Sequence, residues 1–185
     1  MNNNKIKRMV GIAILSAIVV VLQLLGSFIK IGPVSICLVL VPIVVGAATY
    51  GPAAGAILGG VFSIVVLCQP DTNAFYQVSV LGTVLTVVVK GVLSGYLAGL
   101  TFQLASKKNV WLGVILAAIV APVINTGIFF IGCRVFFWDT LASWGQGNAL
   151  NYMLTVMIGF NFLAELGTNV VCSPIICRIL KAAKH

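Results

Sequence analysis

Residues 79–100 read SVLGTVLTVVVKGVLSGYLAGL. The run is apolar and long enough to cross a bilayer, which takes roughly 20 residues in a helix. Lys90 stands at its middle. An unpaired cation at the centre of a membrane helix costs at least about 2.5–3.5 kcal/mol, so another part of the chain, or a ligand, has to offset it. Around Lys90, Ser79, Thr83, Thr86 and Ser94 recur at spacings of three and four and share one helical face. Gly91, Gly95 and Gly99 recur every fourth residue on an adjoining face, the small-residue pattern that lets membrane helices approach closely. A helix with a polar stripe, a smooth stripe and an apolar remainder lines something.

Composition agrees with a membrane setting. The 185 residues are 61% hydrophobic and 8% charged, where a soluble domain carries about 25% charged residues. The net charge of +8 is no nucleic-acid signal, because the basic residues gather at the termini and in one loop, as a membrane topology distributes them. Cys37, Cys68, Cys133, Cys172 and Cys177 form no CxxC pair and lie mostly in apolar runs, where cysteine behaves as a small hydrophobe. His185 is the lone histidine, in the C-terminal tail. No metal, cofactor or nucleic-acid partner is expected. The first apolar run continues into the bundle, unlike a cleavable signal peptide.

The pattern predicts an all-α integral membrane protein, a single six-helix membrane domain over 1–185 with spans at about 9–28, 34–49, 53–68, 79–101, 110–133 and 152–176. Lys30-Ile-Gly-Pro33 and Tyr50-Gly-Pro52 break the first two. Gly55 and Gly59 are a GxxxG pair in the third, and Pro122 and Asn125 lie inside the fifth. The tails and the loop 106–109 carry Lys5, Lys7, Arg8, Lys107, Lys108, Arg178, Lys181 and Lys184; the opposite side carries Lys30 and Arg134. The positive-inside rule then places both termini in the cytoplasm. The outer side holds the loops 30–33, 69–77 and 134–151.

Asp71 and Asp139 fall in those outer loops, and the third acid, Glu165, lies near the middle of the sixth span. Asn161, Glu165, Asn169 and Ser173 are spaced by four, a second polar stripe expected to face that of Lys90 across the bundle. A buried Lys90–Glu165 pair that only fixes packing and a pair that meets a polar substrate both stay open. The outer loops add Asn73, Phe75 and Tyr76, then Arg134, Phe136, Phe137, Trp138, Trp144, Gln146 and Asn148. Phe136 and Phe137 read as an interfacial belt. Trp144-Gly-Gln-Gly-Asn148 instead offers close backbone approach and amide hydrogen bonds, and aromatic walls with a few fixed polar groups make a small-molecule pocket. No HExxH, nucleophile elbow or phosphate loop is present, so no enzymatic activity is expected.

Ala13-Ile-Leu-Ser-Ala17, VPIVVGAATYGPAAGAILGGVFSIV at 41–65, KGVLSGYLAGL at 90–100 and NFLAELGTNVVCSPIICRIL at 161–180 follow one another in order. As a set they resemble the S-components, the substrate-binding membrane subunits, of energy-coupling factor (ECF) vitamin transporters. The resemblance covers essentially the whole chain. It implies a multi-pass protein of a prokaryotic plasma membrane that binds a vitamin or related micronutrient from outside, between helices four to six and the outer loops. It implies docking, through Ala13 and Ala17 of the AxxxA motif, on a membrane coupling subunit attached to two ATPases. Delivery would follow by toppling in the bilayer.

On that resemblance the candidate substrate contacts are Asn73, Tyr76, Lys90, Arg134, Trp138, Trp144, Gln146, Asn148, Asn161 and Glu165. A buried cation favours a carboxylate, and pantothenate adds hydroxyls and an amide for Asn161, Gln146 and Asn148. Lipoate, folate, riboflavin and queuosine precursors are the alternatives, the flat ones stacking on Trp138 and Trp144. If Glu165 neutralises Lys90, the preference for an anion lapses. A solitary carrier or channel using the Lys90–Glu165 pair is the competing class of function.

Overall fold

The computed structural model describes residues 3–28, 30–31, 34–35 and 39–182, with side chains described at 5–26, 39–155, 159, 162–180 and 182. Gly32, Pro33, Cys37, Lys184 and His185, and the side chains of Asn161, Lys30 and Lys181, lie outside these. The main helices are α1 (Asn3–Phe28), α2 (Leu40–Tyr50), α3 (Pro52–Leu67), α5 (Val80–Ala105), α6 (Val110–Phe136) and α9 (Phe160–Ala182), with short helices α4 (Asn73–Tyr76), α7 (Trp138–Trp144) and α8 (Ala149–Tyr152) between them. Among the described residues four helices are long and apolar enough to cross a membrane, and five if α3 and the segment Pro70–Tyr76, bent by 75°, count as one span. This is an all-α integral membrane architecture.

Glycines set the tightest packing. A β-carbon at Gly59 of α3 would collide with the Gly91 carbonyl of α5, one at Gly95 with the Gly55 carbonyl, and one at Gly99 would lie 2.7 Å from Pro52 Cα. The two small-residue stripes read separately from the sequence thus face each other. Backbone-to-backbone approach replaces side-chain interdigitation, and dispersion between the two chains holds the crossing. The Ser63 hydroxyl spans it, 2.8 Å from the Val87 carbonyl of α5 and 2.9 Å from Gly59's own.

Among the described residues of the second expected span, 34–49, the helix is Leu40–Tyr50. Val34–Ser35 pairs antiparallel with Lys30–Ile31, Lys30 opposite Ser35 and Ile31 opposite Val34. Pro42 explains the late start. Proline has no N–H and its ring clashes with the preceding turn, so it is best tolerated in a first helical turn, and a start at Leu40 puts Pro42 there. At 11 residues, α2 is about 16 Å long, roughly half the hydrocarbon thickness. It contacts α1, α3, α5, α6 and α9, and Leu40, Ile43, Val44 and Ala47 are fully buried. α2 is therefore the centre of the bundle.

Two of the loops are structured. The loop 69–77 folds as a 3-10 turn, Pro70–Thr72, followed by α4. The loop 134–151 is mostly helix: α6 runs on to Phe136, so Arg134 sits in its last turn, where a cation is favoured by the helix dipole; α7 and α8 follow. The last span is entered through π-helical residues Met153–Gly159.

Side-chain contacts define two ends. At one, Gly11 abuts the Tyr50 ring, and Val45, Ala98, Val114, Ile176 and Leu180 form a cluster. The start of α1, the end of α9 and the turns 51 and 106–109 therefore share this end, with Lys107, Lys108 and Arg178 exposed on it. At the other lie α4, α7 and α8 around Cys133, Phe137, Leu141, Ala149 and Met153.

Candidate functional site

Lys90 projects from α5 into the bundle and is half-buried. Its Nζ lies 5.0 Å from the Phe129 ring of α6 and 5.8 Å from the Phe62 ring of α3. An ammonium between ring faces gains roughly 0.5–2 kcal/mol, more as water is excluded. These rings form part of the offset to the burial cost of the cation.

Above Phe129 stands an aromatic cap. Phe75 of α4 meets Phe137 edge-on at 5.1 Å and Phe129 and Trp144 at 6.0 Å each. Trp138 packs against the same cluster, with the Arg134 guanidinium 4.2 Å over its indole. Lys90, Arg134, Trp138 and Trp144 are thus brought to one end of the bundle around Phe75. Phe137, read as belt, is buried and belongs to the cap; Phe136 is exposed and covers Gly82 instead.

The polar stripe of α9 meets a polar residue of α6. α6 packs along both α5 and α9, and its Asn125 is a buried amide in an apolar span. Its Nδ2 donates to Glu165 Oε2 at 3.4 Å. The Asn169 amide donates to the Glu165 carbonyl at 2.8 Å, and Ser173 Oγ to the Asn169 carbonyl at 3.1 Å. Glu165, Asn169 and Ser173 are each at most 2% exposed. Asn125 and Phe129 are one turn apart on α6, so a single helix reaches the carboxylate with one residue and the ammonium with the other. Among the described residues, the buried oxygens Thr86 Oγ1, Asn125 Oδ1 and Asn169 Oδ1 have no hydrogen-bond partner. A buried unpaired polar atom costs about 1–3 kcal/mol, which a donor-bearing ligand or ordered water recovers.

The remaining candidates serve the fold or face outward. Tyr76 donates from its hydroxyl to the Leu67 carbonyl at 2.9 Å and closes the bend after α3. Asn148 Oδ1 accepts the Asn151 N–H at 3.0 Å and caps α8. Asn73 and Gln146 are exposed, Gln146 in a left-handed turn (φ 52°). Asn161's side chain lies outside the described set. Sequence reasoning gave no site role to Asn125, Phe129, Phe62 or the pair Gln23–Gln69; the amides among them were visible as polar residues inside or beside apolar runs.

Ala13 and Ala17 are exposed on α1, beside Val10, Ile14, Ile18 and Val21. They are not used to pack α1 within its own bundle, where Val19 and Leu15 make the contacts.

No curated protein matches the chain. Residues 7–177 match the family described as ECF transporter, substrate-specific component. Members of that family are substrate-binding transport subunits that work with a membrane coupling component and ATPases. With nearly its whole length matched, the chain belongs to the substrate-specific components of ECF transporters and is a multi-pass protein of the cell membrane.

Proposed function

We propose that this component captures a small, anionic, hydrogen-bond-donating micronutrient, with pantothenate the leading candidate, in a chamber beneath the aromatic cap. The observation that carries this reading is Lys90, whose Nζ lies against Phe129 and Phe62 inside the bundle. A substrate carboxylate reaching that ammonium would add a charge-assisted hydrogen bond in a water-poor setting. The unpartnered Thr86 Oγ1, one turn from Lys90, and Asn125 Oδ1 are suited to the hydroxyl and amide N–H groups of such an acid. Gln146 is exposed and the Asn148 side-chain oxygen caps α8, so the polar contacts first assigned to those loop amides pass to the helices. Trp138 and Trp144 line the cap, and Arg134, Tyr76 and Asn73 frame its rim.

In this reading α1, α2, α3, α5, α6 and α9 are six membrane helices. The short α2, 11 residues long, is the sixth of them. The exposed basic residues at the end that joins the start of α1 to the end of α9 support cytoplasmic termini. The exposed face of α1 around Ala13 and Ala17 docks on the coupling subunit, which carries two ATPases, and the loaded component topples to deliver its cargo.

The test is a thermal-shift panel of B vitamins, lipoate and queuosine precursors on the purified protein. A ligand at 100 times its dissociation constant adds about 2.7 kcal/mol of stability, so a true substrate stands out. Pantothenate or another small carboxylate is expected to raise the melting point. A cationic vitamin as the sole hit would overturn the assignment of Lys90.

A further inference from the structure

Gln23 of α1 and Gln69, at the bend between α3 and α4, are 5% and 9% exposed. Gln23 Nε2 donates to Gln69 Oε1 at 2.9 Å, and Gln69 Nε2 donates to the Gln23 backbone carbonyl at 3.2 Å. Buried amides cost free energy unless hydrogen-bonded, and two apolar side chains would pack the same contact without that risk. What the amide pair adds is direction: both bonds form only in one register of α1 against the bend.

That register matters because of what the bend carries. Thr72 Oγ1 donates back to the Val66 carbonyl at 2.6 Å, and the Tyr76 hydroxyl to Leu67 at 2.9 Å. These two bonds make the segment 69–76 rigid on the end of α3. Gln69 ties it to α1 through both of its hydrogen bonds to Gln23. Phe75 rides on this segment and is the ring that meets Phe129, Phe137 and Trp144 together. Along α1, Gln23 is six residues, about 9 Å, from Ala17 on the exposed face.

We infer that Gln23 and Gln69 form a positioning clasp that holds Phe75 over the Lys90 chamber and joins the cap mechanically to α1. The clasp slows release of bound substrate, and it makes the helix with the free face and the cap over the site one body. The effect on substrate release rests on the proposed substrate chamber; the geometry of the clasp does not.

The experiment compares Gln69→Leu, Gln23→Leu and the double leucine variant with wild type. Two readouts are taken on the full chain: hydrogen exchange of residues 73–79 without ligand, and the dissociation rate of pantothenate. Each single variant is expected to speed exchange of the Gln77 and Ser79 amides, which bond back to Asn73 and Phe75, by about tenfold, the scale of one lost hydrogen bond. Pantothenate release accelerates with it, and association changes less. The double variant leaves no unpaired amide, so it regains the melting temperature but keeps fast exchange and fast release. Unchanged exchange in the single variants overturns the clasp, as does full recovery of exchange in the double variant, which would make the pair simple packing. If wild type binds no pantothenate, the substrate assignment fails by itself, and the exchange measurement still decides the clasp.

Discussion

Helices α1 and α5 are both 26 residues long and predominantly apolar, and they are used in opposite ways. Only 11% of the spanning stretch of α1 is buried, against 39% of that of α5. α5 is gripped on two sides, by the glycines of α3 and by Gly132 of α6, whose β-carbon would run into Thr86. α1 touches the bundle along one stripe through Leu15, Val19 and Gln23, and leaves Ala13, Ala17 and their apolar neighbours outside. In a bilayer an exposed apolar face costs nothing, because lipid tails are as apolar as leucine. Small residues on such a face do not fill a core. They keep it smooth for another helix. The same spacing, small residues four apart, thus serves internal packing in α5 and lies on an exposed face in α1, where the proposed function places docking.

The comparison breaks most visibly at the crossing of α3 and α5. Gly59→Leu should exceed the roughly 1–3 kcal/mol typical of overpacking, because the obstacle is the Gly91 backbone, which cannot rotate away. Little folded protein should survive purification in detergent. Its neighbour Gly60 has nothing nearer than Val92 Cγ2 at 3.8 Å, so Gly60→Ala should leave the melting temperature unchanged or slightly raised. Equal behaviour of the two glycines would sink the crossing as described.

Next in size is the face of α1. Ala13→Trp combined with Ala17→Trp should abolish uptake by cells carrying the whole transporter, while substrate binding and melting temperature of the isolated component stay at wild-type values. Equal loss of binding and uptake would assign the face to internal packing instead. Lys90→Ala, on α5, should weaken pantothenate binding by about 10- to 100-fold, the range of a lost charged hydrogen bond, measured by calorimetry, and Lys90→Arg by less. Normal binding by Lys90→Ala would make the ammonium a packing element. The smallest effect belongs to Val21→Ala, on the exposed side of α1; it should shift stability by no more than about 0.5 kcal/mol in a denaturation series.

Much of this was legible in the residues. Lys90 in mid-span, the stripe Glu165–Asn169–Ser173 and the glycine pairs at spacing four are period-3.6 signals, and helical period survives into any tertiary arrangement. The candidate site was legible in part. Lys90, Trp138 and Trp144 do meet, through Phe75, Phe129 and Phe137. The role of Asn148 was not legible, because a turn residue that can bind a ligand can equally cap a helix, and only the tertiary structure shows its side chain on α8.

The sequence by itself determined that the chain lives in a bilayer, that its helices have smooth and polar faces, and that one cation and one carboxylate lie at membrane depth. Hydropathy and period are local properties, carried by neighbouring residues whatever the rest does. The tertiary structure alone decided which faces meet: that Phe129 of α6 and Phe62 of α3 flank Lys90; that the 11-residue α2 packs against five other helices; and that Gln23 finds Gln69 across 46 positions of chain. Those outcomes depend on close packing among several helices at once. A bilayer gives no hydrophobic preference between one apolar face and another, so backbone approach at glycines and the pairing of a few buried polar groups make the choice.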